Sequence, residues 1–361
     1  MQLSVIILNY NVRYFLELCV LSVQNAIQNI DAEIIVIDNN SADDSCAMIK
    51  ERFPEVKLIE NKENSGFPKG NNIGVAQAQG EYLCILNPDT VVAEDTFEKV
   101  LAFAEGQINL GIIGCKLIDG AGNFLPESKR GIPTPWVAFT KITGLYKVFP
   151  NSKLFNKYYA QHLTENQTGK VDILVGAFMV MKRELYNEIG GFDENCFMYS
   201  DDIDLSYMVL QKGKQNYYFH ETTVIHYKGE STIKDETYMK RFQEAMHFFY
   251  KKHFRVSFFF DFFMNIGVFF FALFKKSQAV TTKRKIDDYF LFSEDKNLIL
   301  KVENLLGNKV FPANSTFINT LNSLLNRKDK NIELIFDQSE ISFKTIIKNF
   351  ENYKNSKFTF K

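Results

Sequence analysis

The chain has 361 residues, of which 46% are hydrophobic and 24% are charged, and its formal net charge is −1. This composition predicts a globular protein with one large domain and a smaller one, and the near-neutral charge gives no general attraction for nucleic acid. Five cysteines are scattered along the chain without a C-x-x-C pair, and no signal peptide is visible. We therefore expect free thiols in a reducing compartment.

Residues 1–118 alternate between predicted strands and predicted helices. Apolar runs bounded by polar turns predict strands, and apolar residues at helical spacing predict helices. The alternation indicates an α/β fold with a mostly parallel sheet flanked by helices. The predicted strands are 3–8, 33–38, 56–59, 82–86 and 112–117, and the predicted helices are 13–28, 44–52 and a third that ends at Ala78. Ser41 is predicted to cap the second helix.

The stretch from Asp119 to Lys170 is irregular and rich in glycine, proline and aromatic residues, which predicts a functional loop. Beyond it, the pattern returns to regular structure. It predicts a strand at 171–181, a turn at 190–193, a helix at 202–212, a short strand at 224–226 and a helix at 234–252.

The segment Val256–Phe274 is very apolar, and basic residues flank it on both sides. Its length suits a membrane span, but Asp261 is costly in lipid, so a segment lying in the interface or a hairpin fits about as well. The alternative is an aromatic helix that packs against the tail. We expect three units: a main domain at 1–254, a membrane-associating segment at 255–278, and a small α/β unit at 279–361 that is incomplete as given.

Two carboxylates follow buried strands of the predicted sheet. Asp38 ends the second strand, and Asp89 follows the fourth within Asn87-Pro88-Asp89. Side chains at this edge point into the crevice where open α/β sheets bind ligands. Asp89 could carry Mg²⁺ or Mn²⁺ onto a diphosphate, and Asp38 could accept a hydrogen bond from a base or a ribose. Taken alone, each aspartate is equally typical of an ordinary turn.

Three further features favour a polar ligand. The loop 64–74 has glycines and amides at a helix entrance, where N–H groups can approach a ligand, although its spacing is neither that of a P-loop nor that of a dinucleotide fingerprint. Asp201, Asp202 and Asp204 crowd at a helix start, where like charges raise the pKa of a carboxyl group, as suits a general base. His226 ends an apolar strand and could bind a metal.

With these motifs in order, the sequence resembles the family 2 inverting glycosyltransferases, and most closely their rhamnosyltransferase-like branch. The likeness covers roughly residues 1–250. The motifs that carry it are 5–11, 36–41, 64–74, 86–89, 175–178, 190–193, 199–204 and 226–231.

The resemblance implies a GT-A fold and an enzyme of cell-envelope polysaccharide biosynthesis. The implied substrates are a UDP- or dTDP-sugar and a glycan acceptor, with Mg²⁺ or Mn²⁺ as cofactor. The apolar segment 255–278 with its basic flanks adds the expectation of a lipid-linked glycan acceptor and of a cytoplasmic enzyme at the inner face of the cell membrane. The resemblance makes Asp202 the catalytic base with Asp201 as its partner, and Asp89 and His226 the metal contacts. The expected donor-binding residues are Asn9, Tyr10, Asp38, Asn40, Asn64, Gly66, Gly70, Asn71 and Asn87. The expected acceptor-binding residues are Gly176, Ala177 and Trp136.

The sequence departs from the family pattern in two places. The D-x-D motif reads Asn87-Pro88-Asp89, and the Glu-Asp pair reads Asp201-Asp202. Two other functions stay open. A sugar-nucleotide nucleotidyltransferase would need a glycine-rich loop after the first strand, where residues 9–13 hold no glycine. A non-catalytic glycan- or sugar-nucleotide-binding subunit would not need the full acidic set.

Overall fold

The structure is a computed structural model, and it describes residues 1–134, 157–197, 199–228, 236–254, 286–313 and 332–352, with shorter pieces at 136–137, 140, 145–149, 152 and 154–155. These residues form a nine-stranded sheet, a three-stranded sheet and the helices around them. The strands are β1 Leu3–Asn9, β2 Ala32–Asp38, β3 Lys57–Glu60, β4 Tyr82–Leu86, β5 Thr90–Val91, β6 Leu110–Ile118, β7 Gly169–Val171, β8 Phe178–Lys182, β9 Gln215–His226, β10 Asp288–Phe292, β11 Val310–Ala313 and β12 Ile332–Phe336.

The helices lie between these strands, and a short 3₁₀ turn spans Pro126–Ser128. The helices are α1 Arg13–Ala26, α2 Ser45–Arg52, α3 Gly66–Val75, α4 Thr96–Glu105, α5 Leu145–Val148, α6 Arg183–Glu188, α7 Asp201–Gln211, α8 Glu236–His253, α9 Lys296–Leu306 and α10 Phe343–Asn352.

The first four strands make a parallel sheet whose two faces are both covered. The strand order β3-β2-β1-β4 is parallel throughout. Alternate residues of β1 enter two different cores: Val5 and Ile7 pack into one cluster, whereas Ile6 and Leu8 pack into the other. A strand buried on both faces reads as a continuous apolar run, which is why the sequence predicts it well. The carboxyl ends of β1, β2 and β4 therefore reach the same edge.

The second half of the main sheet is mixed. Strand β8 runs antiparallel between β4 and β6, and β9 pairs parallel with β6 and antiparallel with β5 and β7. Two predicted strands differ from the structure. The strand predicted at 171–181 is divided into β7 and β8, and the one predicted at 224–226 is the end of the twelve-residue β9.

The small unit at the end of the described chain is a parallel three-stranded sheet in the order β11-β10-β12. Strands β10 and β12 fall where the sequence predicts them, whereas β11 is not predicted because Pro312 interrupts its apolar pattern. Helix α10 leaves this unit and packs on the main sheet. The predicted three-part division of the chain stays a prediction.

The predicted membrane-associating segment 255–278 lies outside the described residues. Among the helices that the structure does describe, none combines the length and the hydrophobicity required to cross a bilayer.

Candidate active site

The ends of β1 and β2 are joined through Asp38. Asn9 Nδ2 donates to Asp38 Oδ1 at 2.7 Å, and the backbone N–H of Ser41 donates to Asp38 Oδ2 at 2.8 Å. Both carboxylate oxygens are thus engaged, and Asp38 is 2% exposed. Ser41 does not cap α2 as predicted, because the N-cap residue of that helix is Asp44. The Ser41 hydroxyl instead accepts hydrogen bonds from Asn9 Nδ2 and from the N–H of Asn11. The carboxylate organises the loop here, and its contact with a donor stays a prediction.

A second loop beside it is built around Asn39, a residue that the sequence analysis does not single out. The Asn39 side chain is buried and donates to Asn64 Oδ1 at 3.0 Å. Its own oxygen accepts from Asn61 Nδ2 at 3.0 Å and from the Ser65 hydroxyl at 3.0 Å. Asn39 therefore fixes the entrance of α3, while the neighbouring Asn40 is exposed with a φ of 65°.

Two glycines of the 64–74 loop have structural reasons to be glycine. Gly66 has a φ of +79°, and a Cβ there would lie 2.8 Å from Phe197. A Cβ on Gly70 would lie 2.5 Å from Leu8 Cδ1, because α3 crosses β1 closely. Asn71 is fully buried and donates to the carbonyl of Phe67 at 2.9 Å. Packing thus accounts for the two glycines, whereas Asn71 Oδ1 is buried without a hydrogen-bond partner in the described chain. The donor-binding role of all three residues stays a prediction.

Among the remaining predicted donor residues, Tyr10 stands at the end of β1 with 39% of its surface exposed. The Asn64 side chain accepts the N–H of Gly66 at 3.1 Å. Tyr10 is thus available to stack on or hydrogen-bond a ligand at the sheet edge, whereas Asn64 closes the turn into α3.

Asp89 and His226 lie side by side, as the sequence predicts. Strands β5 and β9 pair so that Thr90 is opposite His226, and the N–H of Tyr227 donates to the carbonyl of Asp89 at 3.0 Å. His226 Nε2 lies 3.4 Å from Asp89 Oδ1 and 3.4 Å from Asn87 Nδ2. Both Asp89 and His226 are buried, at 4% and 6% exposure. Side chains 137 residues apart in sequence thus form one polar cluster.

This cluster is chemically suited to a divalent cation. His226 Nδ1 and Asn87 Oδ1 are buried without a hydrogen-bond partner in the part of the chain that the structure describes. Carboxylate, amide and imidazole groups are accepted ligands of Mn²⁺, and the first two suit Mg²⁺. The described residues contain no group of three or more His, Cys, Asp or Glu side chains around one point, so Asp89 and His226 would need Asn87 or donor phosphate oxygens to complete the coordination.

The acidic pair at the start of α7 faces an arginine that the sequence analysis misses. One guanidinium nitrogen (NH2) of Arg130 lies 2.5 Å from Asp202 Oδ2 and donates to the carbonyl of Leu174 at 3.0 Å. The N–H of Gly176 also donates to Asp202 Oδ2, at 3.2 Å. Burial alone would lower the pKa of Arg130, but Asp202, with smaller contributions from Tyr158 and Glu127, outweighs burial and raises the pKa. Two donors thus fix one oxygen of the Asp202 carboxyl group in place.

The raised pKa predicted for this acidic cluster belongs to Asp201. Burial raises the pKa of Asp201 to about 7, and the negative charge of Asp202 adds to the shift. Asp204, the third carboxylate, points elsewhere and contacts Lys252 at 2.8 Å and His253 at 2.5 Å. The three aspartates therefore have three different environments within one turn of helix.

The segment between β7 and β8 contacts both the Asp89–His226 cluster and the acidic pair. The N–H of Asn87 donates to the carbonyl of Ala177 at 3.0 Å, next to the Gly176 N–H that contacts Asp202. A Cβ on Gly176 would lie 3.5 Å from Asp202 Cβ and 3.7 Å from Asp201 Oδ2. The backbone at Gly176 and Ala177 thus runs from the candidate metal cluster to the acidic pair.

Trp136, the third predicted acceptor residue, lies in the long loop and is 43% exposed. Its indole N–H donates to the carbonyl of Leu154 at 3.0 Å, and its ring lies 5.9 Å from that of Phe155. These contacts hold it within its own loop, and its predicted role is untested.

Comparison with known proteins agrees with the motifs. The model of the family described as glycosyl transferase family 2 matches residues 4–190. The chain belongs to this family. The predicted family membership and the predicted enzyme class, a glycosyltransferase, are thereby confirmed.

Two curated relatives illustrate the likeness. The N-acetylglucosaminyl-diphospho-decaprenol L-rhamnosyltransferase of Mycobacterium tuberculosis is 25% identical in an alignment 213 residues long, which covers 56% of this chain and 68% of that protein. The GalNAc(5)-diNAcBac-PP-undecaprenol beta-1,3-glucosyltransferase of Campylobacter jejuni is 30% identical in an alignment 179 residues long, which covers 46% of this chain and 57% of that protein.

A solved structure confirms the predicted GT-A fold of this glycosyltransferase. The mannosyltransferase PcManGT of Pyrobaculum calidifontis, in complex with GDP-Man and Mn²⁺, superposes with a TM-score of 0.50 at 16% identity. The match covers 77% of this chain and 76% of that one. At this identity the likeness concerns the fold alone.

Proposed function

We propose that this glycosyltransferase moves a sugar from a nucleoside-diphosphate donor to a hydroxyl group of a glycan or lipid-linked glycan, with inversion and with the help of a divalent cation. One observation carries the proposal. The backbone at Gly176 and Ala177 joins Asn87 of the candidate metal cluster to Asp202 of the acidic pair. A donor diphosphate and an acceptor hydroxyl would therefore meet within one site.

The donor end is the edge formed by β1, β2 and β4. Tyr10 and the loops organised by Asp38 and Asn39 would hold the nucleoside, and Asp89, His226 and Asn87 would hold the cation. A bound Mg²⁺ or Mn²⁺ would stabilise the negative charge that builds on the leaving diphosphate. The solved mannosyltransferase, which shares the fold, is a precedent for this pairing, since its structure is a complex with GDP-Man and Mn²⁺.

Asp202 is the proposed general base. Arg130 and Gly176 both contact its Oδ2, which leaves Oδ1 to accept the proton of the acceptor hydroxyl. As that proton moves to Asp202, the hydroxyl oxygen forms a bond to the anomeric carbon, and the bond from that carbon to the diphosphate oxygen breaks with its electron pair. A single displacement of this kind inverts the anomeric configuration.

The acceptor class is inferred from the relatives and from the sequence. The names of the Mycobacterium and Campylobacter enzymes describe diphospho-decaprenol and PP-undecaprenol substrates, which are lipid-linked. The basic, phenylalanine-rich segment 255–278 would keep such an enzyme at the inner face of the membrane. Deleting residues 256–276 is expected to move the protein from the membrane fraction to the soluble fraction, and equal partitioning of both forms would contradict this part of the proposal.

A donor panel tests the proposed reaction. The protein is heated with UDP-, dTDP- and GDP-sugars, each with Mn²⁺ and with EDTA, and the matching donor is expected to raise the melting temperature only with Mn²⁺. Asp89→Asn is expected to lose that metal-dependent gain. Product analysis should then show a free nucleoside diphosphate and an inverted glycoside. Release of inorganic pyrophosphate would indicate a nucleotidyltransferase instead, and binding without transfer would indicate a non-catalytic subunit.

A further inference from the structure

Strand β5 is unusually short for the position it holds. It consists of Thr90 and Val91 alone, follows Asp89 directly, and pairs only with β9 at the end of the sheet order. Two residues give an edge strand few backbone hydrogen bonds, so side-chain packing must fix it. Its register with His226 decides whether Asp89 and the imidazole can share a ligand.

The packing that fixes β5 comes from two sides. In an antiparallel pair, residues directly opposite each other share a face, so Val91 and Ile225 lie on the face opposite to Thr90 and His226. On one side α1 contributes hydrogen bonds, such as that from the N–H of Val92 to the Ser22 hydroxyl at 3.2 Å. The other side, with Val91 and Ile225, is covered mainly by α10, with Leu18 and Leu21 of α1 at its border.

Helix α10 presents one apolar face to this pair of strands. Its residues there are all buried, with exposures of 8% or less, and they pack into one cluster with Val91 and Ile225 of the β5–β9 pair and with their neighbours Ala93 and Ile118. The α10 residues of the cluster are Phe343, Ile346, Ile347 and Phe350. The apolar side of the β5–β9 pair is thus completed by residues far beyond 190, where the match to the family model ends.

Polar contacts attach both ends of α10 to the main domain. Glu94, three residues after β5, accepts the N–H groups of Phe343 and Lys344 at 2.7 and 2.8 Å, and so caps the helix start. At the other end, Glu351 accepts from the Thr223 hydroxyl at 2.9 Å and pairs with Lys116 at 2.9 Å. Of these contact residues, Glu94 lies five residues after Asp89, and Thr223 lies in β9, the strand that ends at His226.

We infer that α10 positions the Asp89–His226 cluster, so that the C-terminal unit is a working part of the catalytic domain. The mechanical part of this inference, that α10 holds β5 against β9, stands on the packing alone. Only its consequence for metal binding rests on the proposed function. Glu94 and Phe350 are positioning residues in this scheme, since they reach the cluster through Val91 and Ile225.

Two matched carboxylate variants separate this role from general stability. Glu94→Ala removes the cap that ties α10 to β5. Glu340→Ala removes a carboxylate that likewise accepts a backbone N–H, that of Glu294 at 2.9 Å, but within the C-terminal unit. Amide hydrogen exchange is followed in peptides 88–93 and 222–228, with 32–38 of β2 as an internal reference. Phe350→Ala and its conservative partner Phe350→Leu provide a second, independent pair.

Glu94→Ala and Phe350→Ala are expected to speed exchange in 88–93 and 222–228 at least about threefold, while 32–38 is unchanged and Phe350→Leu restores most of the protection. Glu340→Ala should affect only the C-terminal unit. Unchanged exchange in 88–93 in both Glu94→Ala and Phe350→Ala would overturn the inference.

A Mn²⁺ titration of the same proteins tests the functional consequence. Manganese alone is the probe, and free Mn²⁺ is measured by electron paramagnetic resonance. Glu94→Ala is expected to weaken binding about tenfold relative to Glu340→Ala, as is usual for groups that orient metal ligands. If the wild type binds no Mn²⁺, the metal role in the proposed function fails, and hydrogen exchange still decides whether α10 holds β5. If all variants bind Mn²⁺ equally, the positioning role is overturned.

Discussion

The two charged clusters of the site differ in how completely their polar atoms are satisfied. Asp202 receives both Arg130 and a backbone N–H, and within the described chain this cluster leaves a single buried donor, Arg130 Nε, without a partner. The Asp89 cluster leaves His226 Nδ1 and Asn87 Oδ1 buried without partners in the described chain. A buried unsatisfied polar group costs roughly 1–3 kcal/mol. Such a cost is tolerated where a ligand removes it, and the Asp89 cluster has two such atoms next to a carboxylate, so it is the cluster that a bound cation would complete.

The largest effect on activity is expected from a substitution in the acidic pair. Asp202→Asn keeps the shape of the side chain but removes its basicity, so kcat should fall by about 10² to 10⁴-fold, the usual contribution of a general base. Mn²⁺ binding should be unchanged, because the metal cluster does not include Asp202. Glu188→Gln, which changes a surface carboxylate paired with Lys212 at 3.1 Å, is the control and should keep normal turnover. Full activity of Asp202→Asn would refute the assignment of the base.

A second substitution removes a side chain of the Asp89–His226 cluster. Its control is another histidine of the same strand, β9. His226→Gln removes the imidazole next to Asp89 and is expected to raise the Mn²⁺ concentration needed for half-maximal activity by about 10 to 100-fold. His220→Gln also removes an imidazole from β9, one that contacts the Thr168 hydroxyl at 2.9 Å. It should leave the metal dependence as it is. Equal metal dependence of the two variants would mean that the cluster binds no cation.

The pH dependence of stability distinguishes Asp201 from the other aspartates of the acidic cluster. Because the pKa of Asp201 is raised to about 7 from an ordinary 3.8, the folded protein binds more protons than the unfolded chain between these values. The contribution of Asp201 to stability is therefore greatest below pH 4 and is lost as the pH rises through 7. Asp201→Asn removes this loss and should raise the melting temperature by about 3 °C or more at pH 8 relative to wild type.

The measurement is a pair of melting curves for each protein. The gain from Asp201→Asn should be smaller at pH 5, where the wild-type carboxyl group is already protonated. An equal gain at both pH values would show that Asp201 titrates in its ordinary range. The same experiment on Asp204→Asn should show no gain, since Asp204 is paired with Lys252 and His253.

The sequence predicted the central strands to within one or two residues because β1, β2 and β4 are continuous apolar runs between polar turns. It also predicted that Asp89 would meet His226, although this depended on the family likeness as much as on the strand pattern. Long β9 was recognised only at its end, since residues 215–223 mix polar and aromatic types without clear alternation. Tertiary pairing with β6 and β7 makes it a strand.

Arg130 and Asn39 could not be found by local pattern. Arg130 lies in a loop of glycine and proline residues, and its meaning comes from Asp202, which is 72 residues away. Asn39 follows a buried strand, but only the return of residues 61–66 past it shows which of the two adjacent asparagines is the buried one. In both cases the hydrogen-bond partner is distant in sequence and is brought close only by the fold, so the residue spacing within a motif does not reveal it.

The smallest expected effect concerns Gly70, which was predicted to bind the donor but packs against Leu8. An alanine there gains about 1 kcal/mol of helix propensity, whereas overpacking a core costs about 1–3 kcal/mol. Since the new Cβ would lie 2.5 Å from Leu8 Cδ1, we expect the cost to prevail and Gly70→Ala to lower the free energy of unfolding by about 1 kcal/mol. Urea denaturation measures this change.

A double-mutant cycle with Leu8→Ala decides between packing and donor binding at Gly70. In the Leu8→Ala background the contact is gone, so Gly70→Ala should become neutral or stabilising. Gly106→Ala is the control, because a Cβ there meets nothing nearer than 3.5 Å. If Gly70→Ala instead weakens donor binding without loss of stability, and Leu8→Ala does not relieve the effect, the glycine serves the ligand. The loop 64–74 would then belong to the binding cluster, and the packing of α3 on β1 would be secondary to it.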